Sequence, residues 1–356
     1  MAMFDDIRPY NDAEVKKIWK KLLKNPDLIA VFKWLDIPIL PEYHSLETSG
    51  ELQDIIGRKV LNRIFDLSID GVSISGLDDA IENSNSGLLF VSNHRDIVLD
   101  PALMIYAIDQ HQYRPVQIAI GDNLLTSPFV SDLLKINNCF IVKRGLPRKE
   151  QLMASKELSA YIWQQNQKGE YIWIAQREGR AKEGNDFTNA ALVSMLYLSH
   201  KKKMPFSDFI NRLNIVPVSI SYEYDPCDEL KAREVLIKKM NNNRYSKGAN
   251  EDLISIVRGI LGYKGHVHIA FGTALKGDFS CVKDVTSELD RQIIMNYKLW
   301  DTNLAAYDEL YQTASDVSEE EKQKFLKRVQ QAPEELRPLI LQMYANPVKN
   351  KRNYLS

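Results

Sequence analysis

Hydrophobic residues are spaced in two different ways along this chain of 356 residues. In residues 1–65 they recur every three or four positions, which is typical of amphipathic helices, and a capping box of Asn11 and Glu14 marks the first helix. The same spacing returns in residues 279–356, where the stretch 285–311 is expected to form one helix. The pattern therefore predicts a helical N-terminal cap and a helical C-terminal extension.

In residues 66–278 the apolar residues are spaced differently, in short continuous runs separated by helical patterns such as residues 150–167. Runs of this length, bounded by turn residues, are typical of buried strands. The predicted strands are residues 88–91, 116–120, 140–142, 171–175, 215–221 and 266–271. Their alternation with helices predicts an α/β domain with a mixed, mostly parallel central sheet flanked by helices.

Composition narrows the class of protein. With 46 basic and 47 acidic residues the formal net charge is −1, which argues against broad nucleic-acid binding. The three cysteines are far apart, so neither a disulfide framework nor a structural zinc site is expected. The first residues do not resemble a secretory signal, and no apolar run is long enough to span a membrane, so a cytoplasmic location is expected.

A histidine and two carboxylates follow the first predicted strand. His94 lies just beyond residues 88–91, where open α/β sheets place their ligands, with Asp96 and Asp100 a few residues on. A carboxylate that accepts from one ring nitrogen leaves the other free to take a substrate proton, so we predict an acid–base site. Either aspartate could orient the ring. Asp100, which precedes Pro101, could instead cap the next helix.

Positive charge follows two other predicted strands. After residues 171–175 comes a turn with Arg177, Glu178, Gly179 and Arg180, in which guanidinium groups could bind a phosphate and the glycine could let the backbone approach it closely. A solvated charged loop is the alternative.

Lys143 and Arg144 similarly follow residues 140–142. Because several strand ends meet at one edge of a parallel sheet, we expect these cations to face a common anion. Within residues 215–221, Pro217 predicts an edge strand or a strand start.

These segments, taken in order, resemble those of the glycerol-phosphate and lysophosphatidate acyltransferases, over roughly residues 85–275. The family has Asn-His, four residues and Asp, then an apolar segment with Arg, then Glu-Gly-x-Arg, then an apolar Val-Pro-Val segment. The corresponding residues here are Asn93-His94 to Asp100, Phe140 to Arg144, Arg177 to Gly184, and Ile215 to Val218. The chain departs from the pattern twice, with five residues between His94 and Asp100 and one between Glu178 and Arg180.

The resemblance implies acyl transfer from acyl-coenzyme A or acyl carrier protein to a hydroxyl of glycerol 3-phosphate or 1-acylglycerol 3-phosphate. His94 would be the general base, with Asp100 or Asp96 stabilising its imidazolium, and no metal or redox cofactor would be needed. Arg144, Arg180 and Lys143 would hold the acceptor phosphate. The remaining residues implied to line the substrate site are Asn93, Arg177, Glu178, Gly179 and Pro217.

Lipid substrates imply peripheral contact with a membrane. The candidate surfaces are the first amphipathic helix and two basic runs, residues 201–203 and 349–352. Two alternatives to the implied function remain open. The chain could acylate another lysolipid or an acylated amino acid, or it could be a non-catalytic module that binds lipid or acyl carrier protein.

Overall fold

The computed structural model describes residues 3–82, 86–111, 113–248 and 250–355. These residues form one seven-stranded sheet. Its strands are β1 (Gly71–Ser75), β2 (Leu88–Ser92), β3 (Val116–Gly121), β4 (Cys139–Val142), β5 (Tyr171–Ala175), β6 (Ile215–Tyr222) and β7 (His266–Phe271). The order across the sheet is β1-β7-β6-β2-β5-β3-β4, and neighbouring strands are parallel except β6 and β7. The predicted mixed, mostly parallel sheet is confirmed.

Helices precede, flank and follow this sheet. Four come before β1: α1 (Asp12–Leu22), α2 (Pro26–Trp34), α3 (Ser49–Leu52) and α4 (Arg58–Ser68). Those between the strands are α5 (Leu77–Glu82), α6 (Leu99–Gln110), α7 (Pro128–Ile136), α8 (Arg148–Gln167), α9 (Ala190–Tyr197), α10 (Phe206–Leu213), α11 (Asp228–Met240) and α12 (Glu251–Leu261). The C-terminal helices are α13 (Val282–Asn296), α14 (Asp301–Tyr311), α15 (Glu319–Gln331) and α16 (Arg337–Leu355). No helix among the described residues is long and apolar enough to cross a membrane.

The N-terminal helices and the sheet share one hydrophobic core. Trp19 of α1, Phe32 of α2 and Phe65 of α4 belong to the same buried cluster as the strands. Every residue of β2 and β6 is buried, which explains why both strands are mostly apolar and lack the alternation of a half-exposed strand. A second buried cluster joins α11 to α14, α15 and α16, with Phe325 and Met343 near its centre. Helices α14, α15 and α16 therefore share a second core with α11, whereas Val285 and Leu289 of α13 belong to the first.

Two elements differ from the sequence-based expectation. Strand β1 was not predicted, because it is a short edge strand with only two large apolar residues, Val72 and Ile74. The stretch 285–311 was expected to be one helix but forms α13 and α14. The chain is extended at Trp300, whose backbone N–H donates to the Asn303 side chain at 2.9 Å, and a new helix begins there.

The parallel arrangement brings five strand ends together. Because β2, β3, β4, β5 and β6 run in the same direction, the residues that follow them all emerge at one edge of the sheet. The candidate histidine follows β2, and the two predicted clusters of cations follow β4 and β5. The fold thus places these groups around a common cleft.

Candidate active site

His94 lies at the edge of this cleft, two residues beyond β2. Its side chain is mostly buried, and Nδ1 lies 2.8 Å from Oδ2 of Asp100. The Nε2 atom makes no hydrogen bond to any residue that the structure describes, and the ring lines the cleft. Since a carboxylate can only accept from Nδ1–H, this geometry leaves Nε2 with a free lone pair.

Asp100 is fully buried and both of its oxygens are occupied. Besides His94, Oδ2 accepts from the backbone N–H groups of Arg95 at 2.6 Å and Asp96 at 3.0 Å. Oδ1 accepts from the hydroxyl of Tyr222 at 2.7 Å. Four donors on one carboxylate hold it in one position, which is what the orienting partner of a catalytic histidine requires.

Asp96, the rival candidate, has a structural contact instead. Its Oδ1 accepts from the backbone N–H groups of Val98 at 3.0 Å and Leu99 at 2.9 Å, which caps the start of α6. Burial, and then the nearby Asp100 charge, raise its pKa. The sequence had offered capping as the alternative for Asp100. In the structure Asp96, which precedes α6, caps the helix, whereas Asp100, which lies inside the first turn, contacts His94.

The structure adds Tyr222 to the site. It is the last residue of β6, and its buried hydroxyl donates to Oδ1 of Asp100, the carboxylate oxygen that His94 does not contact. Burial, followed by the Asp100 carboxylate, raises its pKa well above the ordinary value, so the hydroxyl stays protonated and remains a donor. The signal that could have found it is its position, since it ends a strand at the same edge as His94.

Buried charged groups fix the backbone around His94. Its N–H donates to Oδ2 of Asp186 at 3.1 Å, and burial raises the pKa of that carboxyl. The next carbonyl, of Arg95, accepts from the ammonium of Lys231 at 2.7 Å. Asp225 forms ion pairs with the side chains of Lys231 and Arg95. Burial alone raises the pKa of Asp225, but the charges of these two partners lower it to about 2. These partners lie far along the sequence, so no local pattern could have revealed them.

Arginines line the same cleft, which has a volume of about 640 Å³, and the segment of Arg180 is held beside the histidine by the Ala181 N–H, which donates to the His94 carbonyl at 3.0 Å. Arg180 is 8% exposed, its Nη1 has no hydrogen-bond partner, and no carboxylate among the described residues lies within ion-pair distance of it. Arg177, half-buried in the same wall, also has no ion-pair partner in the described part of the chain. Arg144 is 3.7 Å from the largely exposed Glu178.

The charge of Arg180 acts on the nearby carboxylates of Asp96 and Asp252, but neither forms an ion pair with it. A buried guanidinium without an ion pair is costly, so this wall is suited to an anionic ligand.

Two further cations of the cleft already have partners. Lys143 lines the cleft, but it pairs with Asp6 of the N-terminal segment and lies 3.6 Å from Glu157, so its charge already has partners in the free protein. Its role as a phosphate ligand stays a prediction. Lys182 pairs with Glu234 at 2.7 Å. Burial and the charge of Arg180 lower its pKa to about 8, despite that partner.

Gly179 has a positive φ of 73°, and an added Cβ would have no neighbour within 4 Å. The turn needs its backbone freedom. The close approach of a phosphate to this backbone stays a prediction.

Two predicted substrate contacts are corrected by the structure. Asn93 is buried, its Nδ2 donates to the carbonyl of Ile220 at 2.9 Å and its Oδ1 accepts from the same residue's N–H at 2.7 Å. Its amide therefore ties β2 to β6 and does not face the cleft. Pro217 is buried within β6, a central strand and not an edge strand. It contributes to the core, away from the strand ends that form the site.

Comparisons with known proteins identify the central region. Residues 72–221 match the family model described as Acyltransferase. This stretch is therefore similar to an acyltransferase domain, which agrees with the coarser part of the resemblance carried by its motifs. The match covers less than half of the chain and leaves the helices before β1 and those after β6 outside it.

The other comparisons add little. No curated protein matches the chain. Among solved structures, the chain is similar to the 1-acyl-sn-glycerophosphate (LPA) acyltransferase PlsC from Thermotoga maritima, with 13% identity and a TM-score of 0.42, over 79% of this chain and 91% of that one.

Proposed function

We propose that this protein transfers a fatty acyl group from an acyl thioester to a hydroxyl of a phosphorylated glycerol, either glycerol 3-phosphate or its 1-acyl derivative. One observation carries the proposal. The free Nε2 of His94 and the unpaired, buried guanidinium of Arg180 line the same cleft. A base and an anion-binding group in one cleft match an acceptor that has both a hydroxyl to deprotonate and a phosphate to hold.

In the proposed reaction, Nε2 of His94 takes the proton of the acceptor hydroxyl as its oxygen attacks the thioester carbonyl. The resulting tetrahedral oxyanion collapses, the C–S bond breaks, and the leaving thiolate takes the proton back from the imidazolium. Asp100 stabilises the imidazolium between these steps, since its carboxylate is fixed against Nδ1. The thioester is already activated, so the chemistry balances without a covalent acyl-enzyme or an added cofactor.

Arg180, Arg177 and Arg144 would hold the acceptor phosphate. Charge-assisted hydrogen bonds from guanidinium groups are strong in a partly buried cleft, and they would fix the hydroxyl near His94. The acyl donor is either acyl-coenzyme A or acyl carrier protein. Its chain would lie against the apolar lining of the cleft, formed by Ile97, Ala119, Ile120, Leu124, Ile141, Val142, Leu158, Leu192 and Met195.

Release of free thiol from a long-chain acyl thioester tests the proposal. The purified protein is assayed with glycerol 3-phosphate, 1-acylglycerol 3-phosphate, an uncharged lysolipid and an acylated amino acid. We expect release that depends on a phosphorylated acceptor and falls by about 10²–10⁴ in His94→Ala, because that is the usual contribution of a general base. His44→Ala is the matched control, since His44 is exposed in the N-terminal cap.

Two outcomes would overturn the proposal. Thiol release without any acceptor would indicate a thioesterase, and equal rates in His94→Ala and the unchanged protein would remove the histidine from the chemistry. Binding of the thioester with no turnover by any acceptor would favour a non-catalytic lipid or carrier-protein module.

A further inference from the structure

Helix α12 exposes a continuous apolar face. Leu253, Ile254, Val257 and Leu261 are 60%, 48%, 46% and 46% exposed. At about 100° per residue these four side chains fall within roughly 100° of arc, so they form one stripe along the helix. Surface apolar residues are common singly, but a stripe of large aliphatic side chains on one helix face marks an interaction surface.

The opposite face of α12 packs against the candidate active site. Ser255 and Gly259 are buried there, and a Cβ on Gly259 would come within 2.3 Å of Oδ2 of Asp96. At the start of the helix, Asp252 lines the cleft and accepts from Asn123 at 3.4 Å. The apolar stripe therefore begins at the rim of the cleft and runs along the outside of the helix that covers the loop of His94.

The segment that carries the stripe has an excess of basic residues. Residues 238–263 contain five basic side chains, Lys238, Lys239, Arg244, Lys247 and Arg258, and two acidic ones. Three of the five have carboxylate partners, since Lys247 pairs with Asp252 at 2.6 Å, Lys238 with Glu234 at 2.7 Å, and Arg258 lies 3.9 Å from Glu229. Lys239 and Arg244 have no ion-pair partner in the described part of the chain, and Glu251 accepts from the hydroxyl of Tyr245.

Met240 and Tyr263, both exposed, extend the apolar area at either end of the stretch. An aliphatic face among basic residues complements an anionic lipid surface.

From these observations we propose that α12 docks this protein on an anionic phospholipid bilayer, with the cleft mouth at the lipid surface. The choice of a bilayer as the occupant rests on the proposed function, because long acyl chains and lysolipids partition out of water into membranes. Docking by α12 would let such a substrate enter the cleft directly from the lipid phase.

Two of the three surfaces expected from the sequence are less suited to this role, and the third, the exposed run 201–203, consists of lysines alone and has no apolar residue to insert. Helix α1 turns its apolar residues Val15, Trp19 and Leu22 into the core. In the C-terminal basic run, the Lys351 ammonium donates to the carbonyl of Tyr297 and Arg352 lies over the ring of Tyr307. The strongest competitor is α2, where Ile29, Val31 and Trp34 are exposed, but these three spread over about 200° of arc and form no stripe.

Vesicle flotation of the full-length protein tests the assignment. The probes are vesicles of phosphatidylcholine alone and of phosphatidylcholine mixed with phosphatidylglycerol. We expect flotation with the anionic vesicles only, weakened by added salt, and at least about tenfold weaker partitioning for Leu253→Ser/Val257→Ser. The matched variant Ile29→Ser/Trp34→Ser removes two exposed apolar side chains from α2 and should float as the unchanged protein does.

Activity supplies an independent readout. With glycerol 3-phosphate and a short-chain thioester, both soluble in water, Leu253→Ser/Val257→Ser should turn over at the unchanged rate, which also shows that it is folded. Flotation needs no turnover, so it remains informative even if the acyltransferase assay fails.

Four results would overturn the proposal. The first two are absence of flotation for the unchanged protein and loss of flotation in the α2 variant alone. The third is a dimer that the α12 variant converts to monomer, which would make α12 a contact between two copies. The fourth is binding of acyl carrier protein through α12 without vesicle binding.

Discussion

The two walls of the cleft differ in how completely their polar groups are satisfied. On the histidine side, Asp100 accepts four hydrogen bonds, while Nε2 of His94 and the buried Nε of Arg95 have no hydrogen-bond partner among the described residues. On the arginine side, Arg180 is buried with Nη1 unpartnered, and Arg177 has no ion pair within the described ranges. The orienting partner of His94 is thus held by protein groups in the free protein, whereas Arg180 has no carboxylate at ion-pair distance among the described residues.

This difference separates a group that reacts from a group that binds. A general base acts best when its orientation is fixed before the substrate arrives, so its partners must belong to the protein. A binding cation gains most when its counter-ion comes with the ligand, because the desolvation cost of the empty site is then offset on binding. The contrast predicts that substitutions on the first wall lower the rate, whereas those on the second raise the KM.

The largest effect is expected from Asp100→Asn. An amide in this position could present its N–H group to Nδ1, favour the wrong tautomer of His94 and leave no base at Nε2. We expect kcat to fall by about 10²–10⁴ with little change in the KM for the acceptor. The measurement is steady-state thiol release with varied acceptor concentration.

Asp96→Asn is the matched control for that prediction. It removes a buried carboxylate from the same loop but keeps an oxygen to cap α6. We expect kcat to change by less than about fivefold, with the main effect a loss of up to about 1 kcal/mol in the free energy of unfolding. If the two variants lost rate equally, the assignment of Asp100 as the orienting partner would be wrong.

An intermediate effect is expected from Arg180→Gln. Loss of one guanidinium removes charge-assisted hydrogen bonds worth about 1.5–3 kcal/mol, so the KM for a phosphorylated acceptor should rise by about 10- to 100-fold. The KM for the thioester should change little. Arg148→Gln removes an exposed guanidinium at the start of α8 and should leave both values unchanged. A fall in kcat alone would place Arg180 with the reacting atoms and not with the phosphate.

The periodicity of the sequence predicted most of the fold. Six strands were predictable because buried strands are mostly apolar along their length. Edge strand β1 was not, because Val72 and Ile74 are its only large apolar residues. The break between α13 and α14 was missed because apolar residues continue through it at helical spacing. Its signal was the polar residue Asn303, which holds the backbone N–H of Trp300.

For the site, sequence located the strand ends but not the partners of each side chain. Proximity along the chain placed His94 beside two aspartates, and only the geometry of α6 shows which one meets Nδ1. Pairings over long separations, such as Lys143 with Asp6 and Asn93 with Ile220, leave no local trace. Residue type therefore indicated a base and anion-binding groups near the strand ends. Tertiary contacts decide which of these side chains already have partners within the protein.

The smallest effect is expected from Tyr222→Phe. This variant removes the hydrogen bond from the Tyr222 hydroxyl to Asp100 and tests how much that bond contributes to the action of His94. The Tyr222 pKa is raised well above the ordinary value, so the phenol donates to Asp100 at every pH at which the protein would be assayed. Without this donor the Asp100 carboxylate becomes a stronger acceptor toward His94 and stabilises the imidazolium more.

The acid limb of the pH–rate profile should therefore move to higher pH, by less than about one unit, while kcat at the plateau falls by less than about tenfold. A purely structural role for Tyr222 would lower the free energy of unfolding without moving that limb. A shift to lower pH would contradict the contact between Tyr222 and Asp100 as the link through which the residue acts.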